Sequence, residues 1–272
     1  MMKRSEPMSD VLIAFILGVV EGLAEFLPIS STGHLILVGH LLGFEGERAK
    51  TFEIVIQLGA ILAISILYRK RLVSLFNIKP ILEKEKKFNA IHIILGVFPA
   101  IIVGLVLHDV IKDYLFRPNT VVIGLVAGAF LMIFAEKKKA EPVSYSLDEL
   151  TYRQAFTIGL FQCLAVYPGF SRAGSTISGG LLAKASYKTA SEFSFLIALP
   201  VMIGATGLDL FKSWHYLSVS DIPMFVVGFL TSFVVAMIAV VTFLKWLEKL
   251  GLVPFAYYRI VLAIVFTLFV LL

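Results

Sequence analysis

The sequence predicts an all-α integral membrane protein, an inverted-topology repeat with six membrane-crossing helices and two re-entrant helical hairpins meeting near the midplane. Three observations predict it. Apolar residues make up 58% of the 272 residues and charged residues 16%, with a mean hydropathy of +0.91. Soluble domains run near 45–50% apolar and about 25% charged, so this chain has too much apolar surface for a water-facing shell. Apolar stretches of crossing length alternate with shorter ones broken by Pro, Gly and Ser. Basic residues gather in particular loops. The whole of 1–272 reads as one membrane domain, with repeat one at about 10–135 and repeat two at about 150–272.

The first apolar segment imitates a signal peptide, with Lys3 and Arg4 ahead of Val11–Val20. No small-residue cleavage pattern follows, and Glu21 and Glu25 stand where cleavage would occur. The segment is therefore read as retained. Crossing a bilayer core takes about 17–25 helical residues. Thr51–Tyr68, Ala90–His108, Thr120–Ala135, Glu192–Leu210, Ile222–Leu244 and Pro254–Leu272 meet that length. Val11–Leu27 with His34–Phe44, and Gln154–Tyr167 with Ser175–Ala183, are shorter. Such pairs read as re-entrant hairpins, tolerated where protein or a wet cavity covers their backbone.

The net charge of +5 reads as basic loops against an anionic leaflet, not as a nucleic-acid surface. Residues 69–88 carry Arg69, Lys70, Arg71, Lys79, Lys84, Lys86 and Lys87. Residues 136–153 carry Lys137, Lys138, Lys139 and Arg153, and Lys245, Lys249 and Arg259 make a third cluster. Residues 109–118 and 211–221 are poor in bases. Positive-inside counting puts the first three in the cytoplasm and the last two outside. The halves then run in opposite senses. They also share patterns: Gly18-Val-Val-Glu21 with Gly159-Leu-Phe-Gln162, and Phe52-Glu-Ile-Val-Ile-Gln57 with Phe193-Ser-Phe-Leu-Ile-Ala198. Same order and opposite orientation define an inverted repeat, which also allows a homodimer. The single cysteine, Cys163, excludes an intrachain disulfide.

Ionisable groups at bilayer depth are functional candidates. Glu21 and Glu25 are four apart, so a helix sets both carboxylates on one face. Their repulsion requires an offset: a divalent metal, an arginine or a proton on one of them. In Pro28-Ile-Ser-Ser-Thr-Gly-His34, Pro28 and Gly33 break the helix while Ser30, Ser31 and Thr32 are natural caps for the next. A helix start at the membrane centre is an anion site. His34 stands three residues after Ser31, placed to act as its base or to attack phosphorus itself. In Pro168-Gly-Phe-Ser-Arg-Ala-Gly-Ser-Thr176, the residues Ser171, Ser175 and Thr176 repeat the capping logic. Arg172 adds a permanent charge whose fork fits phosphate oxygens or pairs with the glutamates. His40, His92, His108 and His215 read as interfacial, and Trp214, Tyr216 and Trp246 as interface anchors.

These two motifs, Glu21-Gly-Leu-Ala-Glu25-Phe-Leu-Pro-Ile-Ser-Ser-Thr-Gly-His34 and Pro168 to Thr176, resemble the signatures of the undecaprenyl-diphosphatase, or bacitracin-resistance, family. Ser191-Glu-Phe-Ser-Phe195 and Pro254-Phe-Ala-Tyr-Tyr-Arg259 extend the resemblance over nearly the whole chain. The chain departs at Ala173, where the family motif usually has serine. The resemblance implies hydrolysis of undecaprenyl diphosphate to undecaprenyl phosphate and inorganic phosphate, recycling the carrier for cell-wall synthesis. It implies a bacterial inner-membrane location with the site facing the periplasm, a divalent cation (Mg²⁺ or Ca²⁺) and bacitracin resistance. Glu21, Glu25, Ser31, His34 and Arg172 are then the expected catalytic residues. Glu21 and Glu25 are expected to hold the metal, and Ser30, Thr32, Ser171, Ser175 and Thr176 to contact the polyprenyl diphosphate. Ser31, His34 and water stay open as nucleophile. The competing class is a lipid-phosphate flippase using the same arginine. Another lipid phosphatase family is rejected because Thr176 occupies the place of its last histidine.

Overall fold

Apolar length and capping chemistry place the helices. The computed structural model describes residues 9–77, 82, 87–107, 118–213 and 218–268. In chain order the helices are α1 (Asp10–Ala24), α2 (Ser31–Leu42), α3 (Glu47–Leu67), the short α4 (Arg69–Ser74), α5 (Ala90–Val106), α6 (Pro118–Lys138), α7 (Tyr152–Gln162), α8 (Arg172–Leu182), α9 (Tyr187–Ser213), α10 (Ile222–Leu250) and α11 (Val253–Phe266). Ser9 caps α1, Asn89 closes a capping box on α5 and Thr151 closes another on α7, each satisfying N–H groups that a helix start leaves free.

Among the described residues, four helices, α3, α6, α9 and α10, contain stretches long and apolar enough to cross a membrane. At 1.5 Å per residue the 21 residues of α3 reach about 31 Å, the thickness of a hydrocarbon core. The expected crossings at Ala90–His108 and Pro254–Leu272 are apolar helices of 17 and 14 residues; their expected ends at His108 and beyond Leu268 lie outside the described residues, as do His215, Trp214 and Tyr216. The four short stretches are the helices α1, α2, α7 and α8.

Helix α10 shows how such a chain sits in lipid. Val226, Leu230, Val234, Ile238 and Val241 form an exposed stripe, while Gly228, Ser232, Ala236, Val240 and Phe243 are buried. An exposed apolar face of this extent belongs against lipid or another protein. Small residues on the buried face let backbones approach, as in transmembrane helix pairs. A methyl group on Gly18 would stand 2.7 Å from the Gly228 carbonyl oxygen, and one on Gly22 would stand 2.7 Å from that of Ser232.

That contact recurs between α7 and α5. A methyl on Gly159 would stand 2.8 Å from the carbonyl oxygen of Gly96. On their far sides Gly228 faces Phe52 and Ile56, and Gly96 faces Phe193 and Ile197. Phe52 and Ile56 occupy the positions of Phe193 and Ile197 in the two aligned segments. So α1 packs on α10 against α3, and α7 packs on α5 against α9, through matching residues.

One residue differs from its sequence reading. Arg259, grouped with Lys245 and Lys249 as a loop base, is fully buried in α11. The α11 core stripe is Phe255, Ala256, Arg259, Leu262, Ala263 and Phe266, so helical periodicity turns its side chain inward. His92, at the start of α5 where a crossing end is expected, is buried against protein, its Nε2 2.8 Å from the Leu150 carbonyl oxygen, fastening α5 to the start of α7. Edge-to-face pairs Phe26–Phe195 and Phe243–Phe255 lie in the largest buried cluster.

Candidate active site

The chain turns twice in the same way. Ser30, before α2, has φ 71°, and Ser171, before α8, has φ 72°. Left-handed backbone in a non-glycine residue costs about 1–3 kcal/mol. Each serine recovers part of that by capping: Ser30 Oγ accepts from Gly33 N–H at 3.4 Å, and Ser171 Oγ from Gly174 N–H at 3.1 Å. The result is two helix starts whose next residues are Ser31 and Arg172.

Those two residues meet through Glu25. Ser31 Oγ donates to Glu25 Oε2 at 2.6 Å, and Arg172 Nη2 donates to Glu25 Oε1 at 3.0 Å. The Arg172 and Glu25 side chains are 14% and 9% exposed, so removing one would strand the other with little water. Arg172 is held from behind: Nη1 donates to the Ser194 carbonyl oxygen and to Ser194 Oγ, both at 3.2 Å, and its guanidinium lies 5.5 Å from the Phe26 ring centroid. Thr176 Oγ1 donates to the Arg172 carbonyl oxygen at 2.7 Å and lies 2.6 Å from Ser194 Oγ. Thr176 thus braces the arginine from within the protein. Ser175 Oγ donates to the Ser171 carbonyl oxygen at 3.0 Å, which turns its hydroxyl back onto its own helix. Thr32 is half-buried one residue after Ser31. Ala173, at the family's usual serine, is packed in the core.

Ser31 and His34 are not brought together. His34 Nδ1 lies 2.8 Å from the Ser30 carbonyl oxygen and Nε2 lies 2.6 Å from the Tyr258 hydroxyl, with the two rings stacked at 5.5 Å. An Nδ1–H donating to Ser30 leaves Nε2 to accept from Tyr258. The base within reach of Ser31 is Glu25.

Glu21 makes none of these bonds, although its carboxylate lies close enough to the Glu25 carboxylate and the Arg172 guanidinium to interact with their charges. It is fully buried, and neither carboxylate oxygen has a hydrogen-bond partner among the described residues. Gln162, its match in the second half, donates from Nε2 to the Gly96 carbonyl oxygen at 3.0 Å. A buried carboxylate with two unpartnered oxygens suits a hard divalent cation. Both oxygens of Glu25 already accept from Ser31 and Arg172, and no group of three His, Cys, Asp or Glu side chains converges among the described residues. The donor set therefore fits a cation whose remaining ligands are phosphate oxygens and water, as Mg²⁺ sites are commonly built.

Sequence reasoning missed Ser194, Phe26, Tyr258 and Arg259. Ser194 was visible as the match of Glu53 and within Ser191–Phe195, Tyr258 within the closing motif, and Arg259 there and as a basic-cluster residue, none of them as part of the site.

The family model described as "Bacitracin resistance protein BacA" matches residues 14–265. A protein of Bacillus thuringiensis (strain Al Hakam) named undecaprenyl-diphosphatase 1 is 84% identical over 265 residues, covering 97% of this chain and all of that protein. Proteins of the same name from Bacillus anthracis and Bacillus cereus are 84% and 83% identical over the same coverage.

Proposed function

The chain belongs to the BacA bacitracin-resistance family, and from that membership we propose that it hydrolyses undecaprenyl diphosphate to undecaprenyl phosphate and inorganic phosphate. It is a multi-pass membrane enzyme that returns the lipid carrier to cell-wall synthesis. Bacitracin resistance follows the family name.

The observation that carries the mechanism is the bonded series Ser31–Glu25–Arg172 at 2.6 and 3.0 Å. In this reading Ser31 Oγ attacks the terminal phosphorus and its proton passes to Glu25 Oε2. Arg172 then exchanges its contact with Glu25 for two oxygens of the transferred phosphoryl group, where a planar fork fits better than a point charge. Free N–H groups at the starts of α2 and α8 face the same charge. Phosphoryl transfer asks mainly for such positioning and neutralisation. Undecaprenyl phosphate leaves, taking that proton from Glu25 onto its leaving oxygen. Glu25, again a carboxylate, takes a proton from the water that attacks the phosphoserine and passes it to Ser31 Oγ as inorganic phosphate departs. His34, held by Tyr258, orients the turn that carries Ser31. Glu21 would hold a divalent cation, which neutralises diphosphate charge when bound.

For the architecture, we read the matched contacts of α1, α3 and α10 with α7, α9 and α5 as an inverted repeat, with α1–α2 and α7–α8 as re-entrant hairpins and six crossings. The basic loops then lie in the cytoplasm of a bacterial inner membrane, and the site opens to the periplasm.

The deciding experiment is phosphate release from undecaprenyl diphosphate by the purified protein in detergent, where no membrane separates two compartments. The proposal expects release by the parent and none above background by Ser31→Ala. A parent that binds the lipid but releases no phosphate would favour a flippase.

A further inference from the structure

Arg259 is among the largest fully buried side chains of the described residues, and the mechanism above does not use it. No carboxylate pairs with it among the described residues. Its bonds go to backbone carbonyl oxygens: Nε to Leu125 at 3.1 Å, Nη2 to Gly124 at 3.0 Å and Gly169 at 2.9 Å, and Nη1 to Pro28 at 3.4 Å. Nη1 also approaches Met132 Sδ at 3.7 Å. A buried cation without a counter-ion is costly, so a sequence that merely filled this space would use Leu or Met.

The choice of acceptors is informative. Pro28 lies two residues before Ser30, and Gly169 two residues before Ser171. One guanidinium therefore holds the entry to both left-handed turns, and Gly124 and Leu125 anchor it to α6 between them. The pocket is cut to the guanidinium: a methyl on Gly174 would stand 2.9 Å from Nη1. Ser31 follows the first turn and Arg172 the second, yet they must reach the same carboxylate.

From this geometry we infer that Arg259 is a positioning residue for the proposed phosphatase reaction, a clamp that fixes the two turns relative to each other so that Ser31 and Arg172 meet at Glu25. It acts through the backbone and does not touch the substrate. Only a planar group with five donors spans both turns and α6 at once. Lysine keeps the charge but can hold one turn at a time. The inference rests on the function proposed above, so its test includes a readout independent of activity.

The experiment compares the parent with Arg259→Lys in detergent, each carrying Cys163→Ala and nitroxides on Leu27→Cys and Tyr167→Cys for dipolar EPR. Unlabelled proteins are assayed for phosphate release. The clamp predicts one narrow turn-to-turn distance in the parent and a broadened distribution in Arg259→Lys. It also predicts kcat reduced at least ~10-fold with KM within about threefold, because misplaced reacting groups lower the rate more than the binding. An unchanged distance distribution would overturn it, and so would a raised KM at unchanged kcat, which would make Arg259 a binding charge. Should Arg259→Lys not fold, Gly174→Ala replaces it, since its methyl displaces Nη1 while keeping the arginine; the same outcomes decide. If the parent releases no phosphate, the function proposal fails, and the distance measurement still settles whether Arg259 clamps the turns.

Discussion

The first and second turns have the same backbone and opposite chemistry. Both place a serine near φ 70°, both cap a glycine N–H three residues on, and both lead into a short helix. After the shared serine the first turn has Ser31 and the second Arg172. Further out, Glu21 matches Gln162 and Glu53 matches Ser194. The first half carries hydroxyl and carboxylates, and the second carries the cation with the neutral groups that hold it. In the inverted-repeat reading proposed above, one turn serves twice, and single residues on it divide the proposed nucleophile and base from the proposed phosphate clamp. Symmetry of the backbone does not imply symmetry of function.

The sharpest test of that division is whether Ser31 and Glu25 act as one unit. Ser31→Ala and Glu25→Gln should each lower kcat by at least ~10³, and the double variant should be scarcely worse than either. Losses that multiply under single-turnover conditions would show that the 2.6 Å bond is not the one used in catalysis. Arg172→Lys tests the other half. It keeps the charge and removes the fork, and loss of one such stabilising contact costs ~10²–10³ in turnover. Near-normal turnover in that variant would reduce Arg172 to a counter-charge for Glu25.

Glu21→Gln converts a position of the first half to the residue of the second. If Glu21 is the anionic ligand, the midpoint for Mg²⁺ or Ca²⁺ activation should rise by ~10–100-fold with the maximal rate recovered at high metal, the size seen when metal sites lose a supporting group. An unchanged midpoint with a lower rate throughout would mean that Glu21 works without metal. Tyr258→Phe removes the hydroxyl bonded to His34, which has no counterpart at Ser175. One such bond is worth about 0.5–1.5 kcal/mol, so kcat/KM should fall only ~3–10-fold. A loss as large as that of Ser31→Ala would return His34 to the centre of the chemistry.

How much of this was legible depended on whether helical spacing was the governing rule. Ionisable residues inside apolar runs marked Glu21, Glu25, His34 and Arg172, capping chemistry marked Ser31, and apolar length marked the four long helices. Pairing failed at the breaks. Spacing of four rightly made Glu21 and Glu25 neighbours along α1 and its cap. Spacing of three suggested Ser31 with His34, but the turn at Ser30 redirects the chain, so Ser31 meets a residue six positions back. The Glu25–Arg172 pair spans 147 residues and came within reach only as one of three offsets for the glutamates. Arg259 was misread because its charge was weighed and its periodicity was not. Phe255, Ala256, Leu262, Ala263 and Phe266 all mark the buried stripe on which it lies.

The smallest predicted effect tests the shared part of the comparison. At Ser30 and Ser171 glycine removes the left-handed strain and loses the side-chain cap. Relief of strain favours the glycine variant. Loss of the cap and the greater freedom of glycine in the unfolded chain oppose it. Glycine in place of a capping serine typically changes stability by only a few tenths of a kcal/mol. Ser30→Gly and Ser171→Gly should therefore shift the thermal midpoint by about 1–2 °C or less, and in the same direction. The sign matters less than the agreement, because φ angles and capping partners match and the two energy balances contain the same contributions. Midpoints that move in opposite directions by more than that would mean the turns differ in what holds them. The difference would then lie outside the turns, in the unequal bonds from Arg259 to Pro28 at 3.4 Å and to Gly169 at 2.9 Å.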